Sequence, residues 1–477
     1  MGTSTFSLKL VTVDQAHPWL PPAGEARAIK ASANGAPVNY LEDVIPPVVS
    51  GVVANKSTYI RITRAWNSAA FAESIGTNGA MLVHGGGDGD YWGNEVYAFK
   101  FDERRWCRFS NSTPLASTSD PDYVAWMDAR LAQDPNANVH ITMFARTGVP
   151  TTDWRYYNAV ETEHGPKVDS AVGFGHLPEG TACAVPHTAD SLIWIPGSEM
   201  GNTLGAMLKP MTSIAYTTQA TGRAHFFDLE PDPNAPHGDP NFEKRRGWGR
   251  FSNNRAGGDP LVSPAFPWMA YDRAGRKIYH NYGYLDLEQR LQVNRKWSGG
   301  GSYGVVGAFD QSRRLWVMPL NDSTVISSQS AREKASGLRI MEVDSSTTFS
   351  PAVLSGDAPW NFGQAYNGGF QYVPELDAYF FYTQGSYHSG VGFGDSQNIW
   401  RIDPPSSNPL TNAWNVKKIT MGGEIVKPDD GSDDGGITGM GIGNYRRFFW
   451  HSVIGCFVIY NGPTKQGLVY LYRPDGT

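Results

Sequence analysis

The chain reads as an all-β protein, a β-propeller of six blades with seven as the alternative count. Three observations lead there. A two-strand phrase recurs along the chain: an apolar strand, a turn of charged or small residues, then a second apolar strand. The 53 glycines and 32 prolines among 477 residues suit many short strands joined by turns. Stretches with the 3.6-residue period of an amphipathic helix are scarce, so helix is expected to be minor. One such unit cannot bury its faces alone, and so implies others stacked beside it.

In chain order, residues 1–58 hold no complete phrase and are interrupted by Pro18, Pro21, Pro22, Pro37, Pro46 and Pro47. They are expected to form an extended arm. It either docks the propeller onto a larger assembly or lends a strand that hides the exposed sheet edges of a circular fold. The ring strand is expected near Tyr59 to Thr63, with the Pro-rich stretch outside the ring. The propeller itself is assigned to residues 59–477. Its best-formed unit runs from Met81 to Trp106. Gly85 and Gly86, followed by Gly87, permit a close turn where a Cβ would clash. Tyr97 and Phe99 alternate with residues facing the other way, and Trp106 offers a large apolar body to pack between neighbouring sheets.

Further copies fall at Thr181 to Pro196, Pro267 to Asn281, Val306 to Pro319, Phe370 to Thr383 and Phe448 to Asn461. The second strands centre near Leu82, Ile193, Ile278, Trp316, Phe380 and Val458. Third strands are expected at Ala224 to Leu229, Leu338 to Val343, Asn398 to Ile402 and Leu468 to Tyr472, and fourth strands at Trp248 and Trp414. The uneven spacing demands long inter-strand insertions. The largest is 115–167, where Tyr123 to Leu131 has the pattern of a short helix. A seventh blade would have to lie in that stretch.

Forty basic residues stand against 46 acidic ones, a formal charge of −6 without a basic stripe. Nucleic acid is therefore not an expected partner, because its binding needs concentrated Lys and Arg. Arg-Arg pairs beginning at positions 104, 245, 313 and 446 fall at turns and read as solvated loop charge. Cys107, Cys183 and Cys456 lie in or beside apolar strands. This sparse, odd set argues against a disulfide framework or zinc and for small buried hydrophobes. No signal-peptide-like apolar run and no stretch of membrane-spanning length is present. Neither ordinary secretion nor membrane insertion is expected.

Two acidic clusters are candidates for calcium. His84, Asp88, Asp90, Asn94 and Glu95 form one. Asp429, Asp430, Asp433 and Asp434 form the other. The competing reading is that short Asp and Asn side chains set turns by bonding backbone N–H groups. Calcium is the sole cofactor candidate. Aromatic residues with polar or glycine neighbours fall in expected loops: Tyr91 and Trp92, Trp154 with Tyr156 and Tyr157, Trp360 through Tyr366, and Tyr387 with His388. Such faces suit sugar rings or protein epitopes, or else pack the insertions onto the blades. No nucleophile elbow, phosphate loop or zinc-protease motif occurs, and no catalytic residue is assigned.

The run GGG-x-G-D-Y-x-G-N-E-V-Y-A-F from Gly85, followed by W-x-R-F-S from Trp106 and by F-x-Y-V-P-E-L-D-A from Phe370, resembles the galactose-oxidase-like kelch propellers encoded by bacteria and tailed bacteriophages. Asp88 departs from that pattern, since a His often stands there. The copper enzymes of this group use two tyrosines and two histidines, one tyrosine joined to a cysteine. Here the 11 histidines are scattered and Cys107 directly follows the blade tryptophan. The resemblance thus implies the fold and carries over no catalytic residue. It implies a non-enzymatic virion protein, used in assembly or adhesion. Other virion proteins, further copies of itself, and a host-surface glycan or protein would be its partners. The alternatives are a carbohydrate-active hydrolase or lyase working in the central cleft, and a cytosolic protein-interaction propeller.

Overall fold

The structure is a computed structural model that describes residues 18–44, 68–84, 96–109, 174–176, 192–196, 205–209, 225–228, 248–251, 269–280, 283–288, 291–295, 297–298, 306–319, 337–357, 368–382, 397–426, 445–460 and 468–475. They form a β-propeller of small sheets. Sheet 1 runs Ala69–Ala72, Ala80–Val83, Tyr97–Lys100, Arg105–Arg108, from the inner strand outward. Sheet 2 runs Ile193–Pro196, Gly205–Lys209, His225–Asp228, Trp248–Phe251, with Phe174–His176 added outside. Sheet 3 is Met269–Asp272, Lys277–His280, Gly283–Asp286, Leu291–Asn294. Sheet 4 is Ala308–Asp310, Leu315–Pro319, Leu338–Glu342, Ser350–Pro351. Sheet 5 is Gly369–Val373, Ala378–Tyr382, Asn398–Asp403, Ala413–Thr420, with Val353–Gly356 pairing parallel outside.

Sheet 6 joins an early and a late segment of the chain. Phe448–His451, Cys456–Tyr460 and Val469–Tyr472 supply three strands, and the fourth is Glu25–Ala28, antiparallel to Val469–Tyr472. Gly422–Gly423 pairs parallel on its outer side. The Pro-rich stretch expected to lie outside the ring therefore provides a ring strand, and residues 59–63 lie outside the described residues. The blade count also needs correction. Five sheets (1, 3, 4, 5 and 6) have side chains described on more than one strand and stand as blades, where six were expected. In sheet 2 side chains are described only for the inner strand. That strand includes Ile193, which the sequence placed in a second strand. The apolar run alone cannot distinguish the two positions, because both are buried on both faces.

Side chains alternate along each strand, and the two faces pack against different neighbours. In sheet 4, Phe309 and Trp316 join Tyr279 of sheet 3, while Leu315 and Val317 join Tyr379 and Trp414 of sheet 5. The same division puts Leu192 and Trp194 against sheet 1, and Ile193 and Ile195 against sheet 3. Sheets 5 and 6 meet through Phe380, Phe448 and Phe457. The circle closes where Phe449, Val458 and Tyr460 of sheet 6 meet Met81, Tyr97 and Trp106 of sheet 1.

The hairpin between inner and second strand ends the same way in five sheets. Gly79, Arg276, Arg314, Asp377 and Gly455 each immediately precede the second strand, and each has positive φ, from 43° to 73°. Glycine takes this conformation freely, whereas Arg and Asp adopt it at a cost that the surrounding contacts offset. A Cβ on Gly79 would fall 2.7 Å from the Phe71 ring, so this position is restricted by space as well as by φ.

The turns are tied together by charge. Arg313 forms a two-pronged pair with Asp377 of sheet 5, 2.6 Å on each prong, and also meets Asp310 at 2.8 Å. Arg314 turns the other way, to Asp272 of sheet 3 at 2.5 Å and to Asp344 of its own sheet at 2.9 Å. Asp272 and Asp310 are fully buried. The Arg313–Arg314 pair is thus a strap across three sheets and not solvated loop charge. Arg104 and Arg446 are likewise engaged, and the pair beginning at 245 lies outside the described residues.

Candidate functional site

Residues 18–44 form a clasp over the junction of the last and first sheets. Gly24, at φ +77°, starts it by donating its N–H to the Arg473 carbonyl (2.8 Å). Along Glu25–Ala28, alternate residues turn inward, and Ala26 and Ala28 pack with Phe380, Tyr382 and Tyr472. Their small side chains fit beside those large rings. Next comes a tight hairpin in which Ala31 bridges Pro37, with Asn34-Gly35 at its tip and Gly35 at φ +83°. Asn-Gly between short extended segments is a hairpin signal. That signal is present in the sequence, between Pro22 and Pro37.

Beyond the hairpin the segment covers the outer strand of sheet 1. The Asn39 side chain behaves as a surrogate strand: its Nδ2 donates to the Trp106 carbonyl (2.9 Å) and its Oδ1 accepts from the Trp106 N–H (2.8 Å). Arg104 donates to the carbonyls of Ala31 (2.9 Å) and Ser32 (2.7 Å), with its guanidinium over the Trp19 ring. The Ala33 N–H bonds the Glu103 carbonyl, and Arg108 reaches the Val44 carbonyl. Leu20, Ile29, Val38 and Leu41 enter the same apolar cluster as Trp106. The outer edges of Val469–Tyr472 and Arg105–Arg108 are thereby covered, as an exposed edge requires.

Between the hairpin and sheet 1 lies an open cleft of about 330 Å³, lined by Ser32, Asn34, Pro37, Asn39, Glu103 and Arg105. It offers amide, hydroxyl, carboxylate and guanidinium groups at a surface. Two contacts also join sheets that are not neighbours. Where the inner strands begin, Arg446 donates to the Met269 carbonyl (2.5 Å), joining sheets 6 and 3, which are not neighbours. Where they end, Arg273 pairs with Glu73, joining sheets 3 and 1.

Of the residues singled out from sequence, Tyr97 and Trp106 are described. Tyr97 is fully buried, and Trp106 lies 5.4 Å from Phe99 and 5.1 Å from Tyr460 between ring centroids. His84 is fully buried at the end of Ala80–Val83. Gly85, Gly86, Asp88, Asp90, Tyr91, Trp92 and Glu95 lie outside the described residues. So do Trp154, Tyr156, Tyr157, Tyr387, His388, Asp429, Asp430, Asp433 and Asp434. Among the described residues no three His, Cys, Asp or Glu side chains are grouped to hold a metal ion. No helix among them is long and apolar enough to cross a membrane.

The described cysteines are held as thiols. Burial pushes Cys107 up to about 11 and Cys456 up to about 12, so neither is a ready thiolate at neutral pH. Cys183 lies outside the described residues. Asp344 and Asp377 are held below the usual carboxylate range, chiefly by hydrogen bonds from Arg314 and Arg313. These ionised groups are committed to the straps between turns.

No protein-family model matches this chain, and no curated protein matches it.

Proposed function

We propose that this protein is a kelch-type propeller of a tailed-phage virion, a non-catalytic platform for particle assembly or attachment to the host surface. The observation that carries the reading is the clasp. The outer edges of the last and first sheets are covered by one amino-terminal segment, which favours a stable mount for the long inter-strand segments over a ring that opens to admit a substrate. The glycine-rich run from Gly85, with Tyr97 and Trp106 behind it, supports the kelch and phage assignment.

Two measurements test this. Particles purified from cultures carrying the gene should contain the chain at constant stoichiometry by mass spectrometry. Purified protein mixed with the host's surface polysaccharide should bind it, or ignore it, without shortening it. Release of oligosaccharides would replace the proposal with the carbohydrate-active reading. A chain found only in the cytosol would replace it with the interaction-module reading.

A further inference from the structure

The seam between the last and first sheets contains a group foreign to its surroundings. His451 ends the inner strand of sheet 6 and is completely buried. Its ring lies 4.4 Å from Phe71 and 4.7 Å from Phe101 of sheet 1, with Phe71 stacked in turn on Phe449. Neither ring nitrogen meets a hydrogen-bond partner in good geometry. We infer that this seam is the acid-sensitive joint of the ring, and that protonation of His451 loosens the first sheet from the last.

The neighbours on every side are few. From sheet 1, Asp102 is the nearest carboxylate, and it is already occupied by the Thr77 and Asn78 N–H groups and the Asn78 side chain. Glu73, on the inner hairpin of that sheet, is turned to Arg273. Within sheet 6, Cys456 sits opposite His451 in the ladder, and Arg447 lies at the other end of the inner strand, on the Tyr460 carbonyl. Burial is the largest influence and holds the imidazole down to about 3, against 6.5 for a free histidine. The Asn78 backbone and Asp102 favour the charged ring but are outweighed. The sign follows directly. The folded seam keeps His451 neutral while the opened seam protonates it, so stability present above pH 6.5 is lost as pH falls from 6.5 toward 3. At pH 4.5, two units below 6.5, opening is favoured by up to about 100-fold over neutral pH.

The test is amide hydrogen exchange on the intact chain at pH 7.5 and pH 4.5, corrected for intrinsic rates and read peptide by peptide. Asp344 and Asp377, held below the usual carboxylate range by Arg314 and Arg313, stay ionised above pH 4, so sheets 4 and 5 serve as the internal reference. Exchange in Glu25–Ala28, Ala69–Ala72 and Phe448–His451 should rise at least tenfold more than in that reference. His451→Phe and His451→Asn, which carry no titratable ring, should each remove the excess when compared with their own behaviour at neutral pH. Uniform exchange across all sheets, or an excess that survives in a folded variant of either kind, overturns the inference. The latter result would pass the role to another buried histidine, His84 or His280.

Discussion

Trp106 shows how one side chain can serve two sheets. Its indole is buried between Phe99 of its own sheet and Tyr460 of the last, and its backbone is held by Asn39. Trp106→Ala leaves a cavity at the ring's closure and should cost about 3–5 kcal/mol, read as a lower denaturant midpoint. An unchanged midpoint would remove Trp106 from the core. The strap arginines predict an asymmetry. Asp377 is more than half exposed, so Asp377→Ala should cost within about 1 kcal/mol. Arg313→Ala also strips the cation from buried Asp310 and should cost more, about 3 kcal/mol. Equal losses in the two variants would show that the pairing to Asp310 contributes nothing. The sequence placed Trp106 in the core because a lone tryptophan after a tight turn has few other uses. It read Arg313 as loop charge because its partner Asp377 is 64 residues away.

At the scale of elements, the strand Glu25–Ala28 is weakly strand-like in composition and among the most consequential. Two alanines face inward where β-branched residues would be expected, because the space beside Phe380, Tyr382 and Tyr472 is already filled. Deleting residues 1–44 should expose unpaired backbone along Val469–Tyr472 and Arg105–Arg108. The product is expected to melt lower and to self-associate, and to be lost from particles if the virion reading holds. A monomeric truncation that melts like the full chain would show that the clasp is ornamental to the fold. Asn39→Ala is the milder version, removing two backbone-directed hydrogen bonds for about 1–3 kcal/mol.

At the scale of the whole molecule, acid should act in two stages. His280, buried in sheet 3, is held down to about 4 by burial, so like His451 it favours the folded state fully only above pH 6.5 and less as pH falls toward 4. Asp344 and Asp377 have depressed folded values, so their contribution persists to lower pH. It is lost only as pH falls below about 4 and their Arg partners lose the carboxylates. A melting temperature that begins to fall near pH 6.5 and falls again below pH 4 is expected. A flat profile down to pH 4 would show that both buried histidines remain solvated.

Composition and local pattern by themselves determined that this chain is all-β. They also determined the positions of the strands Leu338–Glu342, Asn398–Asp403 and Val469–Tyr472, because apolar residues recurring at strand spacing between turn residues mark a strand that is at least half buried. That information is local, and a single sequence carries it. Tertiary structure alone decided which strand neighbours which. Glu25–Ala28 pairs with a strand near the other end of the chain, and Val353–Gly356 pairs parallel to Ala413–Thr420. It also decided that the position before the second strand takes positive φ in five sheets, with Arg276, Arg314 and Asp377 held there by their surroundings. Those choices depend on backbone hydrogen bonds and packing between residues far apart in sequence. Backbone groups are the same in every residue, so no local pattern announces them.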